Sequence, residues 1–344
     1  ALKHLESAVK RRVPSGQLYL ARAYNDLYRF EDAIETYETY ISDLRKRKRS
    51  TEEAEQLLEK SKSNLRMLKG VEEVCFIDSF VVDKEKFLDA YKISPESGKL
   101  FMYDTYFNDS GKEGGTVYET ELGNKLYYSE MQPDSTLSIL SRNKLLDKWS
   151  DGSLLPGSIN EAMNADYPYV LTDGITIYYA SDGPGSMGGY DIFVTRYNTN
   201  TDSYLMPENV GMPFNSPYND YMMVFDEVKG LGWFVSDRFQ PEGKACVYLF
   251  IPNPEHKRVE SEDIEVKRAR AAITAIRDSW KESSDYADLI RLSHTEIPYG
   301  EKKIEKDFEF IIGNNIVYYK LDDINSPEAK GYYEKVVALN KQIK

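Results

Sequence analysis

Apolar and polar positions alternate with a period of two through the middle of the chain. Near both ends the period is closer to that of a helix. Ile175 to Ala180 is a β-branched and aromatic run, and Tyr190 to Tyr197 sets Ile192 and Val194 on one face and Phe193 on the other. Both read as strands. Thr172-Asp173-Gly174 is a turn signal before the first of them. Ser181 to Gly189, with four glycines and a proline, is a loop between them. Val74 to Ile77 and Phe80 to Val82 read as a further strand pair. Phe308, Phe310 and Ile312, then Gly313-Asn314-Asn315, then Ile316 to Tyr319 read as a hairpin.

Helical spacing covers residues 1–70. A helix is expected from Ser50, with Glu53 completing a capping box, to about Lys69, with Gly70 just past its end. Ile264, Ala272, Ile273, Ile276 and Trp280 fit one face of a single helix inside residues 255–300. Ser326-Pro327 opens a last helix over 326–344, as N-cap and first helical residue. Its Ala329, Tyr332, Val336, Leu339 and Ile343 follow a heptad seam, which fits either a coil continuing beyond Lys344 or a cap on the preceding strands.

The strand pattern repeats. Ser181-Asp182 recurs as Ser236-Asp237 and Ile192 as Val247, each 55 residues on. Gly123 to Ser129 matches Gly174 to Ala180, and Ile93 to Phe101 has the same turn-then-strand shape. A β-unit at such intervals suggests propeller blades. Residues 181–194, Ser-Asp-Gly-Pro-Gly-Ser-Met-Gly-Gly-Tyr-Asp-Ile-Phe-Val, with Glu208-Asn209-Val210-Gly211 and Phe214-Asn215-Ser216 behind them, resemble the WD40-like propeller repeat of Tol–Pal-type envelope proteins. Leu20, Ala21, Tyr24, Ala33 and Tyr37 resemble a tetratricopeptide repeat, with Phe30-Glu31 at the inter-helix turn. Ala1, Leu5 and Ala8 have that repeat's second-helix spacing, so the chain is expected to open inside an earlier repeat.

The expected architecture is therefore α+β and multidomain. A tetratricopeptide-like segment, 1–70, precedes a β-propeller, 71–325, of five blades with a helical insertion at 255–300; a C-terminal helix follows. Because unclosed blades leave exposed edges, the strand near 73–82 is expected to pair with the hairpin at 307–321.

Charge narrows the partners. The 344 residues carry 44 Lys and Arg against 57 Asp and Glu, a net of −13. That balance argues against nucleic acid and anionic membrane. Arg45-Lys46-Arg47-Lys48-Arg49 is the one basic run; it reads as an anion-binding patch or, more simply, as a solvated helix end where cations suit the dipole. Cys75 and Cys246 fit one long-range disulfide or two buried thiols equally well.

Signals for catalysis are weak. Gly183-Pro184-Gly185-Ser186-Met187-Gly188 satisfies G-x-G-x-x-G, but a dinucleotide loop needs a helix next, and Asp191 to Thr195 is strand-like. Ser7-x-x-Lys10 and Ser141-x-x-Lys144 lack the companion motifs of Ser–Lys enzymes. His4, His256 and His294 are scattered, and no metal-ligand spacing stands out. No catalytic residue, metal ligand or cofactor is expected.

Two modules known for concave binding surfaces suggest a non-enzymatic scaffold of the bacterial envelope, periplasmic or outer-membrane-associated, that holds a protein or peptide. The alternative is a propeller that binds glycan or peptidoglycan through tyrosines, Trp149 and Trp233. A hydrolase on propeller loops is the third reading. Candidate partner-contacting residues are Asp182, Asp191 and Asp237 at strand ends and Tyr24 on the helical segment. Turn capping is the plainer role for the aspartates. The resemblance favours Asp191, at the strand entrance facing the propeller top. Gly188 and Gly189 are expected to supply positive φ ahead of it.

Overall fold

Four helices fill the N-terminal stretch: α1 (Leu2–Lys10), α2 (Gly16–Asp26), α3 (Phe30–Lys46) and α4 (Glu52–Lys69). The structure is a computed structural model that describes residues 2–108, 111–145, 148–160, 163–281, 284–296, 310–312, 316–318, 326, 330–333 and 335. The helices pack in chain order, each on the next. Ala21 and Ala33 are fully buried, and their small side chains let Tyr37, Ile41, Ala54 and Leu58 close the seam. The N-cap of α4 is Thr51 and makes no side-chain cap bond. Glu53 turns away to Arg22, 2.6 Å distant, so the expected capping box does not form. Gly70 ends the helix with φ −99, outside the left-handed region.

The rest of the first compact unit, Ala1–Ile297, is antiparallel sheet with helical connections. Strand β1 is Cys75–Asp83. The first sheet holds β2 (Lys99–Met102), β3 (Gly114–Glu119), β4 (Lys125–Met131) and β5 (Leu137–Leu145), with α5 (Tyr103–Phe107) after β2. Short strands β6 (Lys148–Trp149) and β7 (Ser153–Leu154) pair with β5, and α6 (Gly157–Asn160) leads on. The second sheet holds β8 (Ala165–Val170), β9 (Thr176–Ser181) and β10 (Asp191–Asn198), flanked by β11 (Ser203–Tyr204) and β12 (Glu208–Asn209). The third holds β13 (Asp220–Asp226), β14 (Leu231–Ser236) and β15 (Lys244–Ile251), and β1 is its outer strand.

The three sheets stack in chain order through the same devices. Strands β3, β8 and β13 each carry a bulge, at Gly114/Val117, Asp166/Tyr169 and Tyr221/Val224. Tyr118 then donates its hydroxyl to the Val170 carbonyl of the next sheet, 3.0 Å away, and Tyr169 donates to Phe225. The third equivalent position is Val224, where the ladder stops. Connectors repeat too. The Asn160 amide bonds both the N–H and the C=O of Ile139, at 2.8 and 2.9 Å. Asn215 does the same to Ile192, at 2.7 and 2.8 Å.

The outer faces of the stack are covered. Tyr103 and Phe107 of α5 join Leu126, Tyr128 and Leu140 in one apolar cluster. At the other end Trp233 meets Tyr91, ring centroids 6.5 Å apart. Trp233 is thus core, 1 % exposed.

Among the described residues the sheets do not close into a barrel or ring. Of 307–321, the described residues 310–312 and 316–318 pair with each other; among the described residues the expected pairing of 73–82 with that hairpin is not seen. Strand β1 pairs with β15 instead, from Cys75↔Ile251 to Asp83↔Lys244. Strand β15 is buried from Ala245 to Phe250 and needs a partner of its own length on that edge. In the second unit, Pro298–Lys344, β16 (Phe310–Ile312) pairs with β17 (Ile316–Tyr318). Most of the C-terminal seam lies outside the described residues. Cys75 and Cys246 are both free thiols.

The single helix expected over Ile264 to Trp280 is broken. Helix α7 (Ile264–Ala272) ends where Ile273 enters the left-handed region at φ 50. A short 3-10 turn, Ile276–Ser279, follows, and α8 (Ala287–Ser293) comes later. The break lets Ser279 donate to and accept from the Phe76 backbone while the Trp280 indole donates to its carbonyl, 2.7 Å away, beside the β1 bulge.

Arg238 ties these parts together. It is fully buried, and its guanidinium donates to the carbonyls of Pro213, Phe214 and Ala271, to Ser236 Oγ and to Asp220 Oδ1, at 2.6–3.2 Å. Phe234 and Tyr248 lie against it, 5.5 and 5.7 Å from ring centroid to guanidinium carbon. Every arm of the fork is used, which is the condition under which a buried charge is tolerated. Replacing Arg238 with Gln leaves the buried Asp220 carboxylate without its counter-charge, held by Ser216 Oγ, and takes a donor from three carbonyls. We expect a loss of about 3–5 kcal/mol, read as the shift in urea midpoint; a midpoint within error of wild type would show that Arg238 holds nothing together.

Candidate functional site

The helical segment meets the sheets through Tyr28 and Phe30, at the α2–α3 turn, and Leu68 and Val71, at the end of α4. These share a cluster with Met187, Met212, Val259, Ala271 and Ala272. Arg268 Nε donates to the Tyr28 carbonyl, 2.9 Å away. Beside this joint a cavity of about 230 Å³ opens between helices and sheets. Arg22, Asn25 and Asp26 of α2, Leu57, Lys60 and Ser61 of α4, and Met187, Gly188 and Pro217 from the sheet loops line it.

The loop side is shaped by missing side chains. A Cβ on Gly188 would stand 1.9 Å from the Tyr218 carbonyl oxygen, and one on Gly189 would stand 2.1 Å from Asn219 Oδ1. The loop thus lies flat on residues 216–219, and Gly189 N–H donates to Tyr218 O at 3.0 Å. Neither glycine has positive φ; Gly185 does, at 92. The expectation that Gly188 and Gly189 serve left-handed geometry is corrected: close approach demands them, of the 216–218 backbone at Gly188 and of the Asn219 side chain at Gly189.

Asp191 sits under this loop with no exposed surface. Its carboxylate accepts from Met187 N–H at 2.8 Å, Gly188 N–H at 3.1 Å and Asn209 Nδ2 at 2.7 Å. It organises the loop from below, and in this conformation touches no partner. Burial, and secondarily the neighbouring Asp220 carboxylate, push its pKa up to about 7 against those three hydrogen bonds. The held loop aims the Gly188 carbonyl at Lys60 Nζ, 2.8 Å away. Burial lowers the Lys60 ammonium below the usual lysine range, opposed by the charge of Asp191.

The helix side is also braced. Asn25 Oδ1 accepts from Ser61 Oγ at 3.2 Å and Asn64 Nδ2 at 3.3 Å, joining α2 to α4. The cleft offers a guanidinium, a carboxylate, an ammonium and an amide over a floor that includes Leu57, Tyr37 and Met187. That set can pair with the donors and acceptors of a peptide backbone and seat a small apolar group.

The other candidate residues lie apart. Asp182 accepts from the backbone and side-chain nitrogens of Asn164, at 2.8 and 2.7 Å; Asp237 accepts from those of Asn219, at 2.9 Å each. Asp237 also takes Tyr221 Oη and Lys84 Nζ. These are one clamp built twice, 55 residues apart. Tyr24 is partly exposed on α2, outside the cleft, with Arg29 stacked 4.5 Å from its ring and its hydroxyl 3.4 Å from Glu6. The structure therefore brings the four candidates to no common point.

Arg22, Asn25, Asp26 and Lys60 were not singled out from sequence. The available signal was Ser61 and Asn64, polar residues on α4 at spacings that pack, both about 1 % exposed. The G-x-G-x-x-G loop runs into strand β10 and not into a helix, so its amides face Asp191 and no dinucleotide geometry arises. His256 and His294 bond to the carboxylates of Glu72 and Asp78. Among the described residues no group of His, Cys, Asp and Glu is placed to hold a metal, and no helix is long and apolar enough to cross a membrane. No family model, curated protein or solved structure matches the chain.

Two outcomes follow from the loop. Gly188→Ala forces the Tyr218 backbone to move, so we expect a loss of about 1–3 kcal/mol; a melting temperature equal to wild type would refute the close-approach account. For Asp191 the folded pKa lies above the unfolded value of about 3.9. Its contribution is fully present below about pH 4 and is lost as pH rises through about 7. Stability measured for wild type relative to Asp191→Asn should thus fall between pH 4 and pH 8; a flat difference would mean the group stays ionised.

Proposed function

We propose that this chain is a non-enzymatic scaffold of the bacterial cell envelope that holds a protein or peptide partner in the cleft between its helices and its sheets. The observation that carries this is the cleft itself: a polar-rimmed cavity whose two walls come from different parts of the fold and are fixed to each other by Lys60, Arg268 and the Tyr28–Met187 cluster. Rigid walls lower the entropy cost of binding.

On this reading the sheets are blades of a WD40-like propeller and the helices a tetratricopeptide-like unit. Support comes from the repeated bulge, the tyrosine ladder, the Asn160 and Asn215 clamps, and burial at Leu20, Ala21, Ala33 and Tyr37. Placement in the periplasm or at the outer membrane rests on the resemblance of residues 181–216 to envelope propeller repeats. Of the two tryptophans that motivate the glycan alternative, Trp233 is core and Trp149 is half-buried with Lys144 Nζ 5.6 Å from its ring centroid.

A photo-crosslinking residue at Leu57 of the intact chain, activated in envelope extracts, tests the proposal. It should yield a discrete protein adduct, and reversing the charges of Arg22 and Asp26 together should reduce the adduct about tenfold or more. No adduct at Leu57, or one indifferent to both charges, would sink the cleft as the binding site.

A further inference from the structure

We propose that the basic end of the helical segment binds an acidic segment of a partner protein, with one of its apolar side chains seated between α1 and α3. This deepens the scaffold reading, on which it rests in taking a protein as partner, and it concerns a different surface from the cleft.

Two basic runs distant in sequence meet there. Lys10, Arg11 and Arg12 close α1, and Arg45 to Arg49 close α3. Arg12 and Arg47 both line one cavity of about 360 Å³, with Val9, Val13, Tyr40 and Leu44 as apolar wall; Asp43 also lines it, its carboxylate paired with Lys46. Val13 is 49 % exposed. Within this group Arg45 is paired with Glu55 and Lys46 with Asp43. Lys10, Arg11, Arg12, Arg47, Lys48 and Arg49 are exposed and form no ion pair among the described residues.

The simple account, cations placed to neutralise helix ends, does not cover them. Both helices finish through the same turn, with Arg12 at φ 56 and Lys48 at φ 52. Val13 N–H returns to Ala8 O and Arg49 N–H to Leu44 O, each at 3.0 Å. Backbone donors thereby satisfy end carbonyls that side-chain cations would otherwise serve. A positive φ also costs more at Arg and Lys than at the usual Gly or Asn, so helix termination alone does not favour these residues.

Charge distribution selects the partner. Residues 1–50 carry eleven Lys and Arg and seven Asp and Glu, a net of +4, so the remainder of the chain carries −17. A bilayer or a nucleic acid presents charge over a span that also meets that negative remainder. A short acidic segment feels only charges within a Debye length, about 8 Å at physiological salt. The apolar wall adds the second requirement: an anion alone would have no use for Val9, Val13 and Leu44 beside the two guanidinium groups.

The probe is a fluorescent peptide of Glu and Asp with one central Leu, titrated against the intact chain by anisotropy. We expect saturable binding at about 50 mM salt that weakens about tenfold or more by about 0.5 M. Arg12→Glu with Arg47→Glu should abolish it while leaving the circular dichroism spectrum unchanged; Lys257→Glu, a distant exposed site, should not. Changing the peptide Leu to Ser should weaken it several-fold. No binding, binding indifferent to the double variant, or equal binding of the Ser peptide would each overturn the proposal. So would tighter capture of phosphatidylglycerol vesicles or single-stranded DNA, or self-association of the chain that the double variant removes. A Leu57 adduct without peptide binding removes this inference and keeps the cleft; peptide binding without a Leu57 adduct does the reverse.

Discussion

A single buried cation sets the terms for the junction. Arg238 reaches strand β14 through Ser236, the connector through Pro213 and Phe214, helix α7 through Ala271, and β13 through Asp220. A guanidinium carries five donors in a rigid plane and stays charged, so the groups around it must converge to one geometry. Burial pushes the Asp220 carboxyl upward, opposed first by the charge of Arg238 and then by hydrogen bonds from Ser236, Arg238 and Ser216. Few other packings of α7 and the connector would serve all five donors. The wall of the cleft is built on that arrangement, since Met212 and Met187 pack beside it.

The repeat was legible in sequence because strand faces and turn residues recur at fixed offsets, and the structure places Asp182 and Asp237 in identical clamps. What identity of offset could not reveal was the meaning of the departures. Arg238 stands where the preceding unit has Gly183, and Asp220 where it has Ala165, both 55 residues on. Two departures that pair with each other mark the point where the third sheet stops facing another sheet and meets helices. The partner of β1 was not legible for a related reason. Apolar runs of similar length at 73–82 and 307–321 satisfy the same pattern, and hydrophobic alternation says which face is buried but not which neighbour buries it.

Site residues were harder to read than the fold. Asp191 was conspicuous as an acid in a glycine-rich stretch, and that conspicuousness reflects its burial beneath the loop. The cleft's polar rim is spread over α2 and α4, some 35 residues apart, and no local motif marks it. A basic run at 45–49 was visible, but its meeting with residues 10–12 depends on how α1 and α3 each pack on α2. Helix packing brings together residues that no window of sequence displays side by side.

The pairing of β1 with β15 also has a temporal side. Cys75 and Ile251 are 176 positions apart, with the first two sheets between them. A ribosome adding about 5–20 residues per second needs on the order of 10 to 35 s to cover that distance. Throughout it Phe76, Ile77, Phe80 and Val82 belong to a nascent strand whose mate has not been made. The first and second sheets can form in that interval, each from neighbouring hairpins, but the third cannot be completed. The third sheet can thus be completed only after β15 is made, although its outer strand is the first strand of the chain.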